Sequence, residues 1–261
     1  MSASSPTAPR LPRTRQLEIL AELERTGAVR VAPLASRFGV AEETIRRDLD
    51  KLGAEGLLTR THGGAVGLSV DPTDQPVGVR RTTNAAQKRR IARRAAAQIE
   101  PGDVISLDAS TTALELACLL EEGPLTVVTN GLDAARVLAD RSEVRVIVVG
   151  GDLDSVSLCT TGPVAEADIR RFAIHKAFFS AKAVDPRRGC SEVSTDHGAV
   201  KRAMIDASDY RCLLADSSKL GVRSMAFFAE VGELDLIITD ADAAEKPLAA
   251  LAGAGATVTI N

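Results

Sequence analysis

The sequence predicts a two-part α/β protein, an N-terminal winged helix-turn-helix followed by a mainly parallel-sheet, Rossmann-like domain. Three observations lead there. Charge is polarised along the chain of 261 residues: residues 1–94 carry 17 Lys and Arg against 10 Asp and Glu, and residues 95–261 carry 15 against 25, although the whole stands at only −3. From Arg13 to Val66 a helix, a short helix, a tight turn, a third helix and a strand-turn-strand follow in order. From Asn84 onward, near-continuous apolar runs alternate with helical stretches, the pattern of strands covered on both faces.

Residues 1–12, rich in Ser and Pro, are too poor in apolar groups to pack and are expected to form a disordered tail. Leu17, Leu20 and Leu23, with Ile19 between, mark the first helix, which ends at Thr26-Gly27. Val29–Val31 is β-prone. Pro33–Phe38 forms a brief helix halted at Gly39. From Ala41 to Gly53, Ile45, Leu49 and Leu52 share one face of a third helix. Leu57–Arg60 and Ala65-Val66 flank His62-Gly63-Gly64 as the wing. Residues 67–83, with Pro72 and Pro76, lack a hydrophobic period and are expected to be a linker. A helix over Asn84–Ile99, capped by Thr83, opens the second domain, 84–261.

Its strands are expected at 104–107, 125–128, 144–149, 177–180, 212–215, 234–238 and 257–260, and its helices at 111–120, 132–139, 164–172, 196–207 and 243–252. Composition agrees with a globular chain, 45% hydrophobic and 26% charged. The absence of an apolar run near 20 residues, or of an apolar leader in residues 1–15, points to a cytoplasmic protein without a membrane partner. Cys118, Cys159, Cys190 and Cys212 form no CxxC pair and have no histidine at metal-ligand spacing, so they are expected to be buried thiols, and His175 and His197 to be exposed or capping; no metal or cofactor is expected.

A helix-turn-helix reads DNA with the first turn of its second long helix. Here that turn presents Glu43, Thr44, Arg46 and Arg47, with Arg60 and His62 on the wing. The arginines suit guanine edges or phosphates, the threonine a phosphate or a thymine methyl. Paired charges on a helix are as often merely solvated. The acid-free run Arg80, Arg81, Lys88, Arg89, Arg90, Arg93, Arg94 suits DNA phosphates or, with slight preference, an interdomain or subunit contact.

Val40-Ala41-Glu42-Glu43-Thr44-Ile45-Arg46-Arg47-Asp48-Leu49, followed by Leu52, Gly56, Leu58, Arg60 and His62-Gly63-Gly64-Ala65, closely resembles the DeoR family of bacterial transcriptional regulators. The resemblance continues through Gly102-Asp103, Leu107–Thr112, Val128–Gly131, Gly150-Gly151 and Asp216–Lys219. Ala41 departs from it, standing where the family usually has a capping serine, and Asp196-His197 replaces a more acidic stretch near Lys201.

Open α/β sheets bind ligands outside the carboxyl ends of their strands. Four predicted loops lie there: Asp108-Ala109-Ser110-Thr111-Thr112, Thr129-Asn130-Gly131, Gly150-Gly151 and Asp216-Ser217-Ser218-Lys219. Ser110, Thr111 and Thr112 sit where helix amides are unpaired, which suits a phosphate, with Lys219 as countercharge; Asp108 and Asn130 suit hydroxyls. Each loop alone is an ordinary set of caps and turns, and the residues by themselves indicate only a small, polar, anionic guest. The first strand lacks a dinucleotide glycine fingerprint, and no P-loop occurs. The resemblance supplies the ligand class, a phosphorylated sugar sensed by a domain of the ribose-5-phosphate isomerase type, and implies a repressor of carbohydrate genes. Symmetric operators imply a homodimer or homotetramer on double-stranded DNA. The alternative is an isomerase with an appended DNA-binding head, for which Asp108, Asp216, Glu192 and Lys201 are candidates in number only.

Overall fold

A computed structural model describes residues 12–26, 28–54, 57–61, 63–66, 77–120 and 123–261. The expected tail up to residue 11, Gly27, Gly56, His62 and linker residues 67–76 lie outside the described residues. The chain divides into two compact units, residues 1–72 and 73–261.

The first unit runs α1 (Pro12–Thr26), β1 (Ala28–Arg30), α2 (Val31–Phe38), α3 (Glu42–Ala54), β2 (Thr59–Thr61) and β3 (Gly64–Val66). Helical spacing brings Ile19 and Leu23, Leu34 and Phe38, and Ile45, Leu49 and Leu52 into one core, closed by Val29, Leu58 and Ala65. Leu17, placed by its spacing on the inward face of α1, is instead 62% exposed; the polar Arg15 and Gln16 are buried. They face Asp48 of α3, whose carboxylate takes Arg15 Nε at 2.5 Å and Gln16 Nε2 at 2.9 Å. That buried pair holds α1 against α3. α2 ends on Gly39 in the left-handed conformation, φ 65°. β3 lies between β1 and β2, antiparallel to both. The strands meet so closely that a Cβ on Gly64 would stand 1.9 Å from Val29 O.

The second unit begins with α4 (Val77–Thr82) and α5 (Ala85–Ala96), then β4 (Val104–Leu107), α6 (Thr111–Leu119), β5 (Leu125–Thr129), α7 (Leu132–Leu138), β6 (Val144–Val148), β7 (Asp152–Asp154) and β8 (Cys159–Thr161). It continues with α8 (Gly162–Ile169), β9 (Ile174–Phe179), β10 (Ala183–Asp185), β11 (Gly189–Glu192), α9 (Thr195–Asp206), β12 (Ser208–Leu214), β13 (Ala226–Ala229), β14 (Leu236–Thr239), α10 (Glu245–Gly253) and β15 (Val258–Ile260). Seven strands form one parallel sheet in the order β15-β14-β12-β9-β4-β5-β6. Strand side chains alternate. Ile105, Leu107, Phe178, Cys212 and Leu214 pack under α5, α6 and α7. Ala177, Phe179, Leu213 and Ile237 pack on the other face with residues of α9, α10 and β13. The order of the strands reverses between β4 and β9, which opens a crevice at their carboxyl ends.

Several expectations need correcting. Residues 77–82, read as linker, are helical and lie in the second unit, because short side chains and Gly78 hide any apolar period. α5 is preceded by Asn84, left-handed at φ 53°, rather than capped by Thr83. The antiparallel sheet β10-β11-β13 and the pair β7-β8 went unread, since their strands are only three or four residues long and all but the apolar β13 mix polar and apolar groups. β9 starts at Ile174, three residues before the expected strand, because His175 and Lys176 interrupt its apolar run. Cys159, Cys190 and Cys212 are buried, whereas Cys118, on the last turn of α6, is exposed. Among the described residues no helix is long and apolar enough to cross a membrane.

Candidate functional site

α3 presents an open charged face. Side-chain exposure is 62% at Glu43, 49% at Arg46 and 79% at Arg47, and Thr44 is half-buried. Arg46 Nη2 meets Glu42 Oε2 at 2.8 Å and Arg47 Nε meets Glu43 Oε1 at 3.5 Å. Pairs of this exposed i,i+4 kind are worth about 0.3–0.5 kcal/mol, so a phosphate displaces them readily. The helix begins after Ala41, whose carbonyl accepts from Thr44 N and Ile45 N while its side chain offers no cap. Of the wing candidates, Arg60 belongs to β2, and His62 lies outside the described residues.

The crevice between β4 and β9 holds a denser arrangement. Asp108, just beyond β4, is 1% exposed. Its Oδ1 accepts from Ser110 N at 3.2 Å, and its Oδ2 accepts from Ser180 N at 3.0 Å. Lys201 Nζ of α9 stands 2.7 Å from Asp108 Oδ2 and 2.7 Å from Glu192 Oε1, and donates to Ser180 O at 2.5 Å. Burial opposes both charges, but the pairing wins: Asp108 lies below the ordinary carboxylate range and Lys201 above the ordinary lysine range. Lys219 Nζ donates to Ser180 Oγ at 2.6 Å, which in turn donates to Leu214 O at 2.6 Å. Burial pulls the Lys219 ammonium below its usual range, against the charge of Asp216. Asp216 accepts Asn84 Nδ2 at 2.9 Å and the hydroxyl of Ser218; its carboxyl is held low against burial by Lys219 and these hydrogen bonds.

A third lysine joins them. Lys88 is 5% exposed, and its Nζ donates to Arg80 O at 2.5 Å and Thr83 O at 2.8 Å. Burial, then the charge of Lys219, pushes it down to about 8. The basic run therefore divides. Lys88 turns inward, while Arg89 faces Glu115 at 3.5 Å and Arg90 faces Asp242 at 3.9 Å, both within the acidic unit itself.

The first turn of α6 closes the crevice. Ser110 Oγ caps Ala113 N at 3.1 Å, which uses one of its lone pairs and leaves the hydroxyl proton to donate. Thr111 Oγ1 reaches Arg80 O at 3.4 Å. Thr112 Oγ1 and Asn130 Oδ1 are buried without a hydrogen-bond partner among the described residues. Asn130 Nδ2 holds Thr160 O at 2.9 Å. Thr129 Oγ1 bonds Leu107 O at 2.7 Å and accepts from Gly131 N at 3.0 Å, a structural duty. Asp108, Ser110, Thr111 and Gly131 line a cavity of about 10 Å³, room for roughly one water, walled by Val77 of α4 and by Ser157 and Leu158. Leu158 is left-handed at φ 50°, uncommon for a bulky side chain. Gly150 and Gly151 lie against α8 and β8. Gly150 N bonds Asp168 Oδ2 at 3.1 Å, and Gly151, at φ 132°, packs where a Cβ would meet Thr161 O at 2.4 Å.

Sequence reasoning did not foresee the burial of Lys88 beside the crevice and treated Glu192 and Lys201 only as loose candidates. A signal was present. Lys88 falls on the buried stripe of α5 with Ile91, Ala92 and Ala95, and Lys201 falls on that of α9 with Gly198, Met204 and Ile205. A lysine on an apolar helical stripe must have an internal partner. Beyond the crevice, His197 Nε2 lies 2.7 Å from Asp154 Oδ2, and Cys159 lies beside them. The thiol of Cys159 is pushed up to about 12 by burial and by the charge of Asp154.

Family models match each of the two units. Residues 15–70 match the DeoR-like helix-turn-helix domain and residues 83–241 the DeoR C terminal sensor domain. An uncharacterised HTH-type transcriptional regulator of Bacillus subtilis is 39% identical over 226 residues, 87% of this chain and 88% of that protein. The glycerol-3-phosphate regulon repressor of Escherichia coli is 32% identical over 224 residues, 85% of this chain and 88% of that one. Among solved structures, ribose 5-phosphate isomerase A of Methanocaldococcus jannaschii superposes with a TM-score of 0.39 and 16% identity over 52% of this chain and 55% of that chain. With both of its units matched by family domains and full-length relatives at this identity, the chain belongs to the DeoR family of transcriptional regulators.

Proposed function

We propose that this protein is a sequence-specific repressor of carbohydrate-metabolism genes whose grip on double-stranded operator DNA is set by a phosphorylated sugar. In this reading residues 13–66 hold an operator half-site through Glu43, Thr44, Arg46 and Arg47, with Arg60 and His62 added from the wing. Residues 84–261, extended by α4, hold the effector, and the protein acts as an even-numbered homo-oligomer matched to a two-fold operator.

One observation carries the effector half: Lys88 and Lys219, from elements far apart in sequence, are drawn into the switch-point crevice beside the first turn of α6. Buried ammonium groups beside free helix amides favour a dianion. The same packing argues against turnover. Proton abstraction needs a carboxylate free to reach substrate, yet Asp108 and Glu192 are tied to Lys201, and Asp216 to Asn84 and Ser218.

A cavity of about 10 Å³ does not admit a sugar phosphate. α4 stands in the way: its backbone carbonyl at Arg80 takes both Lys88 and Thr111, and Val77 N is bonded to Val156 O at 3.1 Å. A phosphate that replaces those carbonyls displaces α4, and α4 is the first helix after the residues that lead from the wing. The effector thus favours one of two arrangements of the chain, as coupling requires. The test is operator binding by the full chain with and without phosphorylated pentoses and hexoses. Lys219→Ala is expected to keep operator affinity and lose the response. Measurable isomerisation of a sugar phosphate, abolished by Asp108→Asn, would instead support the enzyme.

A further inference from the structure

Three side chains with different donor atoms meet beside the crevice: Asp154 at the end of β7, Cys159 at the start of β8 and His197 in the first turn of α9. One ligand atom from each lies within 4.8 Å of the other two. We infer that Asp154, Cys159 and His197 form a binding site for one divalent transition-metal ion of the zinc type, with water in the fourth position. The inference does not depend on the effector.

The donor set selects the ion. A thiolate, an imidazole and a carboxylate suit a borderline-soft ion such as Zn²⁺, whereas Mg²⁺ and Ca²⁺ demand oxygen throughout. Bonds of about 2.0–2.3 Å in a tetrahedron place donors roughly 3.3–3.8 Å apart. The 2.7 Å between His197 Nε2 and Asp154 Oδ2 must therefore open, and no separation, all being at most 4.8 Å, has to close by more than about 1.5 Å. Both are small rotations, and both His197 and Asp154 retain some exposure, which gives an ion a way in.

The surroundings hold the donors in place. Asp154 Oδ1 accepts from Val156 N at 2.8 Å and Ser157 N at 3.3 Å, which leaves Oδ2 for His197 and the ion. Supporting hydrogen bonds of this kind orient metal ligands. Ser194 Oγ fixes the backbone of His197 at 3.2 Å, and Cys159, fully buried, is paired through its backbone to Gly131. A hydrogen bond between Asp154 and His197 would by itself tie β7 to α9, but it gives the Cys159 sulfur nothing to do. On metal binding the thiol proton leaves to solvent and the imidazole donates a nitrogen lone pair, so each ion releases at least one proton. Spacing concealed the set, since Asp154 and Cys159 are close in sequence but His197 lies a whole helix and three strands later.

Titration of the full-length protein with Co²⁺ alone tests this. A thiolate-to-cobalt charge-transfer band is expected in the near ultraviolet, saturating at about one ion per chain and displaced by Zn²⁺. Cys118→Ser, which removes the exposed thiol, keeps the band; Cys159→Ser loses it. Asp154→Asn still accepts from the turn amides but lacks the charge, and His197→Gln lacks the imidazole; each is expected to weaken Co²⁺ by about tenfold or more. The two keep the test decisive should Cys159→Ser fold poorly. Absence of the band in the wild-type protein, its survival in Cys159→Ser, or unchanged titrations of both Asp154→Asn and His197→Gln would overturn the inference.

Discussion

Raising the pH from 7 to 9 is predicted to weaken effector binding about tenfold, and the structure supplies the magnitude. Lys88 is pushed down to about 8, first by burial and then by Lys219, with Arg80 adding to the repulsion and Asp216 and Glu115 opposing it. A bound phosphate supplies the missing countercharge and returns the ammonium towards its ordinary value near 10.4. The sign follows from linkage. Below pH 8 free and bound protein both carry the proton, so affinity is at its maximum. Above it the free lysine is neutral and binding must first take up a proton, so affinity falls until the bound lysine also titrates. At pH 9 the free amine is protonated in about a tenth of molecules, which gives the tenfold loss and an uptake of about 0.9 proton. The sugar phosphate contributes no slope here, because its second pKa lies near 6. Lys219, also lowered by burial, can only steepen the profile. Isothermal titration calorimetry in buffers of different ionisation enthalpy reads affinity and proton uptake together. Equal affinity at pH 7 and 9, with no proton taken up, would refute the role given to Lys88; Lys88→Arg should flatten the profile, since guanidinium keeps its proton.

Three further outcomes follow from the same geometry. Lys201→Met removes the cation between two buried carboxylates and should lower stability by about 3–5 kcal/mol in denaturant titrations at neutral pH, with the deficit shrinking in acid as Asp108 protonates; an unchanged midpoint would mean the triad is not formed. Arg46→Ala with Arg47→Ala should abolish specific operator binding without changing the circular dichroism, and if both meet phosphates the salt slope of log K should fall by about 2; retained specificity would remove both from the recognition face. Ala41→Ser supplies the missing cap of α3 and should raise the thermal stability of the first unit by about 1 kcal/mol; a loss would show that position 41 does not cap the helix.

What was legible in the sequence follows from how each feature is encoded. Ile45, Leu49 and Leu52 repeat at helical spacing, and the runs through Ile105, Val127 and Leu213 are mostly apolar, broken only by Ser106 and Thr126, so α3 and the central strands announce themselves locally. The loop residues Asp108, Ser110, Thr111, Thr112, Asn130, Asp216 and Lys219 were legible as polar tips of apolar runs. Their partners were not. The Asp108–Lys201–Glu192 triad joins three elements through tertiary packing, so the internal partners of Asp108 have no local signature. Gly150 and Gly151 suit a ligand loop in the sequence because glycine serves close backbone approaches and phosphate cradles alike; in the structure they lie against Asp168 and Thr161. α4 carries too few apolar residues to betray itself, yet it closes the crevice.

The central claim is that an anionic effector belongs at the first turn of α6, between Lys88 and Lys219, in the place α4 now shields. A crystal structure of the full-length protein with a sugar phosphate that shifts operator affinity tests it most directly. The phosphate should lie within hydrogen-bond distance of the Thr111 and Thr112 amides and of both ammonium groups, with the Lys88 bond to Arg80 O broken. A phosphate seated elsewhere, with α4 and that bond undisturbed, would contradict it.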